Sequence, residues 1–407
     1  MVFILMFCHL FFTFKLRFIQ KYTFKGIKYS FSPKQNGAEK GIGTYAAFAA
    51  ALGTTIGPGN ITGVAVAISG GGPGAVFWMW VCGLLAMPTK YAESYLAMRY
   101  TQKRGGSEIG GTMVILGRLG YRRTAVFWSV FCALGGLFMG AAVPSRSLSS
   151  AIPTDNWLTG AFLAALLVLT VSCGLSGIAK VSGLLVPVMS LGFLVASLAV
   201  IALDFKALPD ALGRILSGAL SIKSAGAGAF GAAVKHGITR GLYSNESGLG
   251  SGGILAAESG DKNIGMSALS AMTTTFWDTV VMCAVTGIMF VMSGAGAGSD
   301  ADMTVRGAFS SLPFGSWLLW ISMTLFVFAT MIGWYYLAKR ALQYLTCKSG
   351  WYDAAFIFAA FFGAVLPASI LWQAADIVNF AMLLPSVLVL FKMSGKIENI
   401  NLYIPHK

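Results

Sequence analysis

The stretch Gly53-Thr54-Thr55-Ile56-Gly57-Pro58-Gly59-Asn60 sits in the middle of an apolar run from Tyr45 to Ile68. At ~1.5 Å rise per residue, such a run crosses a bilayer core of ~30 Å. Yet three glycines and a proline interrupt it. Pro58 cannot donate a hydrogen bond and clashes with the preceding turn. Each glycine costs roughly 1 kcal/mol against alanine in a helix. A helix broken in mid-membrane exposes peptide groups that lipid cannot satisfy, so the break must face protein or a polar cavity. Freed carbonyls can hold a cation and freed amides an anion. A packing kink, where glycines let two helices approach closely, is the other reading of this stretch alone.

Composition fixes the class. Only 11% of the 407 residues are charged and 56% are hydrophobic, against about 25% charged in soluble domains. This is a polytopic α-helical membrane protein. The net charge of +14 does not form a soluble nucleic-acid patch, because the basic residues flank apolar runs. Six cysteines form no paired framework, and His9, His236 and His406 have no metal-ligand spacing. No Ser/His/Asp set, HExxH or CxxC pair is present, so an enzyme is not expected.

Met1 to Phe14 reads as the end of a membrane helix whose beginning is missing, or as a helix completed by Leu16 to Ile19. A basic, aromatic-rich interfacial segment follows. Ten core spans are expected at about 44–69 (broken), 73–98, 124–150, 157–175, 181–203, 224–242, 266–292, 316–345, 351–371 and 374–394. Alternating these from an inside start leaves Arg146, Lys206, Arg214, Lys223 and Arg306 outside and Lys235 within a span. The other 23 of 29 basic residues then fall on the cytoplasmic side. Ten spans divide into five plus five, and an odd-numbered repeat forces the second half to run inverted. Five regions result: 1–43, a partial membrane helix with the cytoplasmic basic segment; 44–203, the first repeat; 204–223, an outer connector; 224–394, the second repeat; and 395–407, a cytoplasmic tail. The second half should also open on a broken helix. Ser224-Ala225-Gly226-Ala227-Gly228-Ala229-Phe230-Gly231 offers three glycines there. Paired interrupted helices point to a midplane binding site.

The segments TTIGPGNITGVAVAISGGGPGAVFWMW, MPTKYAES, RGLYSNESGLGS, FWDTVVMCAVTG, IGWYYLAKRALQYL and WQAADIVNF, in this order, resemble the alanine or glycine:cation symporter family, the sodium:alanine symporters. The likeness spans Leu16 to Lys392. It implies a leucine-transporter-type fold of two inverted five-helix repeats plus an extra amino-terminal helix, here truncated. It also implies Na⁺-driven uptake of a small neutral amino acid such as alanine or glycine. By that resemblance the sodium ligands are the carbonyls of Gly53 and Ile56 and the hydroxyl of Thr330, with Thr54 and Thr55 as further oxygens. The family's second hydroxyl stands at Ala329 here. The substrate carboxylate should meet the amides of Gly57 and Gly59. The family's usual Thr is Pro58 in this chain, and Pro144 replaces a Gln that resembles a substrate-binding amide. Gly226, Gly228 and Phe230 would complete the substrate site from the second break, with Trp372 as an aromatic lid.

Other polar residues stay open. Asp278 is an intramembrane acid, for coupling or for a helix-to-helix bond. Asn245 and Glu246 are placed in a cytoplasmic loop, as part of an inner gate. Lys90, Glu93 and Arg99 read as a solvated inner helix end. Arg146 snorkels or binds an anionic group. The expected partners are the amino acid, Na⁺ and the bilayer of a bacterial inner membrane, with the protein a monomer whose basic amino-terminal segment is cytoplasmic. The prolines at 58 and 144 keep altered specificity and a non-transporting sensor in play, and a proton-coupled carrier of the same fold is a further alternative.

Overall fold

The computed structural model describes residues 2–31, 43–104, 107–172, 174–220, 226–346 and 349–398. These are helical apart from short turns and one hairpin, in which β1 (Gln102–Arg104) pairs antiparallel with β2 (Ser107–Ile109). Two helices precede the body, α1 (Val2–Lys15) and α2 (Thr23–Ser30). The chain bends by 66° between them, where Arg17 and Phe18 take left-handed backbone.

The body runs in order through α3 (Thr44–Thr55), α4 (Thr62–Gly71), α5 (Gly74–Arg99), α6 (Thr112–Arg118), α7 (Arg122–Gly135), α8 (Val143–Ala151), α9 (Asn156–Ser172), α10 (Gly174–Leu203) and α11 (Leu208–Leu220). It continues through α12 (Gly226–Asn245), α13 (Gly252–Ala257), α14 (Ile264–Thr275), α15 (Ala284–Met292), α16 (Ala301–Ala308), α17 (Gly315–Leu345), α18 (Trp351–Gly363) and α19 (Ala368–Met393). π-Helical turns over Gly136–Ala142 and Phe276–Cys283 join α7 to α8 and α14 to α15. Such turns widen a helix by one residue and often mark functional positions.

The apolar surface is that of a membrane protein. On α10, Leu184, Val188, Leu191, Val195 and Leu198 are exposed, while Val186, Met189, Phe193 and Val200 are buried. A helix apolar on both faces needs lipid on one of them. Among the described residues, five helical segments are long and apolar enough to cross a membrane, or up to seven if each bent pair counts as one span. α5 and α12 fall outside that set. They are interior helices and carry Lys90 and Glu93, and Lys235 and Arg240, respectively.

α5 is the axis. It packs against α1, α11, α12, α13 and α14. Glycines permit the closest approaches: a Cβ on Gly237 of α12 would lie 2.5 Å from the Ala75 carbonyl oxygen, and one on Gly74 would lie 2.3 Å from Gly218. Pro88 within α5 has no N–H, which leaves the Leu84 carbonyl without its helical donor. Gln20, beside the α1–α2 bend, supplies the missing hydrogen bond through Nε2 at 3.1 Å.

Three expectations need correction. α12 is continuous through Gly226, Gly228 and Phe230, so the glycine run does not break it; residues 224 and 225 lie outside the described residues. The second interruption falls at 246–251, between α12 and α13. The span expected at 351–371 ends at Gly363, because the chain turns and Pro367 caps α19. Lys90 and Glu93 are not solvated: they are 1% and 5% exposed.

Candidate functional site

The first break is read by asking where each peptide group bonds. Helical pairing in α3 runs to the Ile56 N–H, which donates to the Leu52 carbonyl at 2.7 Å. The Gly57 N–H then turns away and donates to Asn60 Oδ1 at 2.8 Å. Pro58 has no N–H. The carbonyls of Gly53 and Thr54 are therefore left without helical donors. The Asn60 N–H goes to the Gly57 carbonyl (3.0 Å), so Ile56 O also lacks its i+4 partner. Ile56 and Gly57 are extended, a tight turn covers Pro58–Asn60, and the two halves of the span meet at 52°.

The second break uses left-handed backbone at Glu246, Gly248 and Gly250. Its irregular peptide groups are held by side chains from neighbouring helices. Lys90 Nζ donates to Asn245 O (3.3 Å), Trp128 Nε1 donates to Leu249 O (3.0 Å), and the Gly250 N–H donates to Glu93 Oε1 (2.8 Å). This is how non-helical backbone survives at depth in a membrane.

Asp278, in the π-turn between α14 and α15, ties the two breaks together. It accepts from Asn60 Nδ2 (2.8 Å), from Ser244 Oγ (2.9 Å to each oxygen) and from Thr279 Oγ1 (2.6 Å). Asn60 belongs to the first break and Ser244 to the end of α12. The helix-to-helix bond that was one of the two readings of Asp278 is present.

The breaks face one small cavity. Its walls include Thr54, Thr55, Gly57, Pro58 and Gly59 from the first, and Tyr243, Ser244 and Glu246 from the second. Met139 of the first π-turn and Thr330 and Trp334 of α17 close it. About 10 Å³ remains for the centre of a water-sized body, room for about one water. Ion pairs stand beyond it in two directions. Toward the α4 and α19 side, the Trp372 ring packs on Tyr243 at 4.6 Å and under the Arg240 guanidinium at 4.6 Å. Arg240 Nη2 pairs with Asp376 at 2.6 Å. Toward the other end, Arg340 of α17 pairs with Glu258, just past α13, at 2.8 Å.

Thr330 Oγ1 is buried without a hydrogen-bond partner. It points at Gly57, where a Cβ would come within 2.0 Å of it. A lone hydroxyl oxygen thus stands against Gly57, in the same break as the carbonyls that α3 has released, and oxygens of these kinds suit a small hard cation. The hydroxyls of Thr54 and Thr55 donate back to carbonyls of α3, which leaves their lone pairs outward.

Placement of the remaining expected residues is mixed. Gly57, Pro58, Gly59 and Thr55 line the cavity, but the Gly57 amide is already taken by Asn60. Pro144 is buried near the start of α8 and is not among the lining residues; Met139 lines instead. Gly228 is exposed on α12, and Phe230 packs on Trp78 at 5.9 Å. Neither lines the cavity, because the helix there is unbroken, and Gly226 is the first residue of that same helix. Trp372 lies one layer out, on Tyr243. Glu246 lies in the 246–251 loop as expected and is also a wall of the cavity, with Ser251 Oγ donating to its Oε2 at 3.0 Å and the Trp334 indole beside it. The sequence reading did not assign roles to Asn60, Arg240, Tyr243, Ser244 or Trp334. The polar run Ser-Asn-Glu-Ser-Gly-Leu-Gly was the available signal for the second break.

A family model described as the sodium:alanine symporter family matches residues 1–404. The chain is 35% identical to the sodium/alanine symporter AgcS of Methanococcus maripaludis, over 95% of this chain and 90% of that one. It is 30% identical to a sodium/proton-dependent alanine carrier protein of Bacillus sp. strain PS3, over 87% of each. Among solved structures, MhsT in complex with L-phenylalanine superimposes with a TM-score of 0.63 at 15% identity, covering 88% of this chain and 90% of that one. That match gives the chain a leucine-transporter-type fold.

Proposed function

The chain belongs to the sodium:alanine symporter family, and from that premise we propose that it is a secondary active transporter coupling Na⁺ entry to uptake of a small neutral amino acid such as alanine or glycine. The observation that carries the proposal is the convergence of two broken helices on one closed cavity with an unpartnered Thr330 hydroxyl in its wall. Na⁺ is held by the carbonyls of Gly53 and Ile56 and by Thr330 Oγ1, with Thr54 adjacent. Its charge offsets the released carbonyl dipoles. Glu246 receives the substrate ammonium group, because it is the carboxylate on the cavity wall. The carboxylate end lies over Gly59, at the amide-rich end of the turn leading into α4. Met139, Tyr243 and Trp334 are bulky walls and restrict the substrate to a short side chain.

The two ion pairs act as gates. Arg240–Asp376 with Trp372 closes the outer side, and Arg340–Glu258 closes the inner side. Both are shut together, as in the occluded stage of alternating access. Opening one at a time moves ion and substrate across, and each charge crossing 100 mV supplies ~2.3 kcal/mol. The chain is a multi-pass membrane protein; we place it in a bacterial inner membrane with the basic amino-terminal segment inside and as a monomer. The units 44–203 and 224–394 are the inverted repeats in this reading, with α12–α13 as the counterpart of α3–α4.

The test is uptake of radiolabelled alanine by proteoliposomes under an imposed Na⁺ gradient, with choline replacing Na⁺ at fixed pH. Accumulation that collapses in choline supports the proposal. Binding without accumulation indicates a sensor, and accumulation that follows a proton gradient in choline indicates proton coupling.

A further inference from the structure

We propose a second Na⁺ site on the inner side of the substrate cavity, built from Glu93, Thr112 and Ser386 behind the second break. It rests on the symporter reading and extends it to two coupling ions.

The site is a separate cavity. It is bounded by Glu93 of α5, Gly111 and Thr112 at the start of α6, Gly250 of the second break, and Ser386 of α19. About 10 Å³ remains for the centre of a water-sized body, room for one water or one small ion. Glu93 is 5% exposed. Its Oε1 accepts from the Gly250 N–H at 2.8 Å and from Ser386 Oγ at 3.4 Å. Its Oε2 is buried, with the Gly248 amide as its nearby donor and no side-chain partner among the described residues. Thr112 Oγ1 reaches the same spot: a Cβ on Gly250 would come within 2.0 Å of it. Two hydroxyls and the Glu93 Oε1 carboxylate oxygen therefore meet at the edge of a space of ionic size. Oxygen donors in that number suit a hard monovalent cation with one or two waters.

Charge balance points the same way. Buried Arg240 and Arg340 have acid partners. Among the remaining described buried groups, Glu93, Glu246 and Asp278 stand against Lys90. His9, with Nδ1 on Thr89, also borders the second break, packing near Gly248. Three carboxyl groups facing one ammonium leave up to two negative charges in the membrane interior, to be offset by cations or removed by protons. Buried charges need compensation. A sodium at the first break supplies one positive charge and a zwitterionic substrate supplies none. An ion at Glu93 supplies the other. Because Glu93 holds the Gly250 amide, that ion also fixes the loop carrying Glu246, so the two ions and the substrate bind as one linked set.

The experiment uses the full-length protein in detergent. Unfolding free energy is followed against NaCl, with choline chloride holding ionic strength constant. Each bound ion contributes a limiting slope of RT per unit of ln[Na⁺]. The parent should show a slope of two ions, falling to one in Glu93→Gln, whose amide oxygen can still accept from Gly250. The double variant Thr112→Val/Ser386→Ala should weaken the second step at least tenfold while leaving Glu93 in place, which covers the case where Glu93→Gln fails to fold. A slope of one in the parent, or an unchanged slope of two in both variants, overturns the second site while the single-ion symporter reading stands. A changed pH profile with an unchanged Na⁺ slope overturns it in favour of a proton on Glu93. If neither parent stability nor parent uptake responds to Na⁺, the symporter reading itself fails.

Discussion

Thr330→Val separates a ligand from a structural hydroxyl, because the two roles predict effects of opposite sign. Valine keeps the shape and removes Oγ1. That atom is buried and accepts or donates no hydrogen bond. In the ion-free protein its loss should be neutral or should stabilise by up to ~1 kcal/mol, since an unsatisfied buried polar group costs about 1–3 kcal/mol. In the sodium-bound protein the same change removes one oxygen from a site with few. A polar contact to a charge contributes about 1.5–3 kcal/mol, which raises the Na⁺ dissociation constant by roughly 10- to 150-fold. The assay is the melting temperature of purified parent and variant across a NaCl series balanced with choline, followed by the Na⁺ dependence of alanine uptake. The expected pattern is an equal or higher melting temperature without Na⁺ and a midpoint shifted by at least tenfold. A variant that is less stable without Na⁺, yet keeps its Na⁺ midpoint within about twofold, would refute the assignment and make Thr330 a packing residue.

Further outcomes follow from the same geometry. Gly57→Ala places a Cβ 2.0 Å from Thr330 Oγ1; uptake should fall below a tenth of the parent rate, and Gly57→Ala/Thr330→Ala should recover part of the lost fold stability in the same melting assay. Glu246→Gln removes the cavity carboxylate, and truncating one partner of a buried charge pair costs about 2–5 kcal/mol; the alanine KM should rise at least 30-fold, whereas a KM unchanged within threefold would remove Glu246 from the ammonium site. Asp376→Asn unpairs Arg240 across side chains that are 8% and 33% exposed. With the partly exposed carboxylate discounted, the pair contributes on the order of 1 kcal/mol, so labelling of a Met139→Cys thiol by an external impermeant maleimide should speed up roughly fivefold.

Much of this was legible because lipid makes backbone accounting strict. The first break announces itself through Pro58 and three glycines in an apolar run, and the carbonyls of Gly53 and Ile56 are free for the reasons that run implies. The second break was misplaced because glycine has two uses in a membrane. Along α12, Gly237 and Gly241 let α5 come close, while Gly248 and Gly250 adopt left-handed backbone. Residue type alone does not separate these uses; the polar neighbours of the second pair do. Lys90 and Glu93 misled for a related reason. Charges one turn apart near a helix end look solvated until a loop from 150 residues farther on folds over them. The Asn60–Asp278 and Arg240–Asp376 pairs lie 218 and 136 residues apart, and no local pattern marks such partners.

Pro58 has a consequence for the transport cycle. A threonine there could in principle donate its amide back to the Thr54 carbonyl and let the rod rewind once ion and substrate leave. An imino acid cannot. The interruption is written into the covalent chain and persists through every stage, loaded or empty. The Thr54 carbonyl therefore stays without its helical donor whether the carrier is loaded or empty.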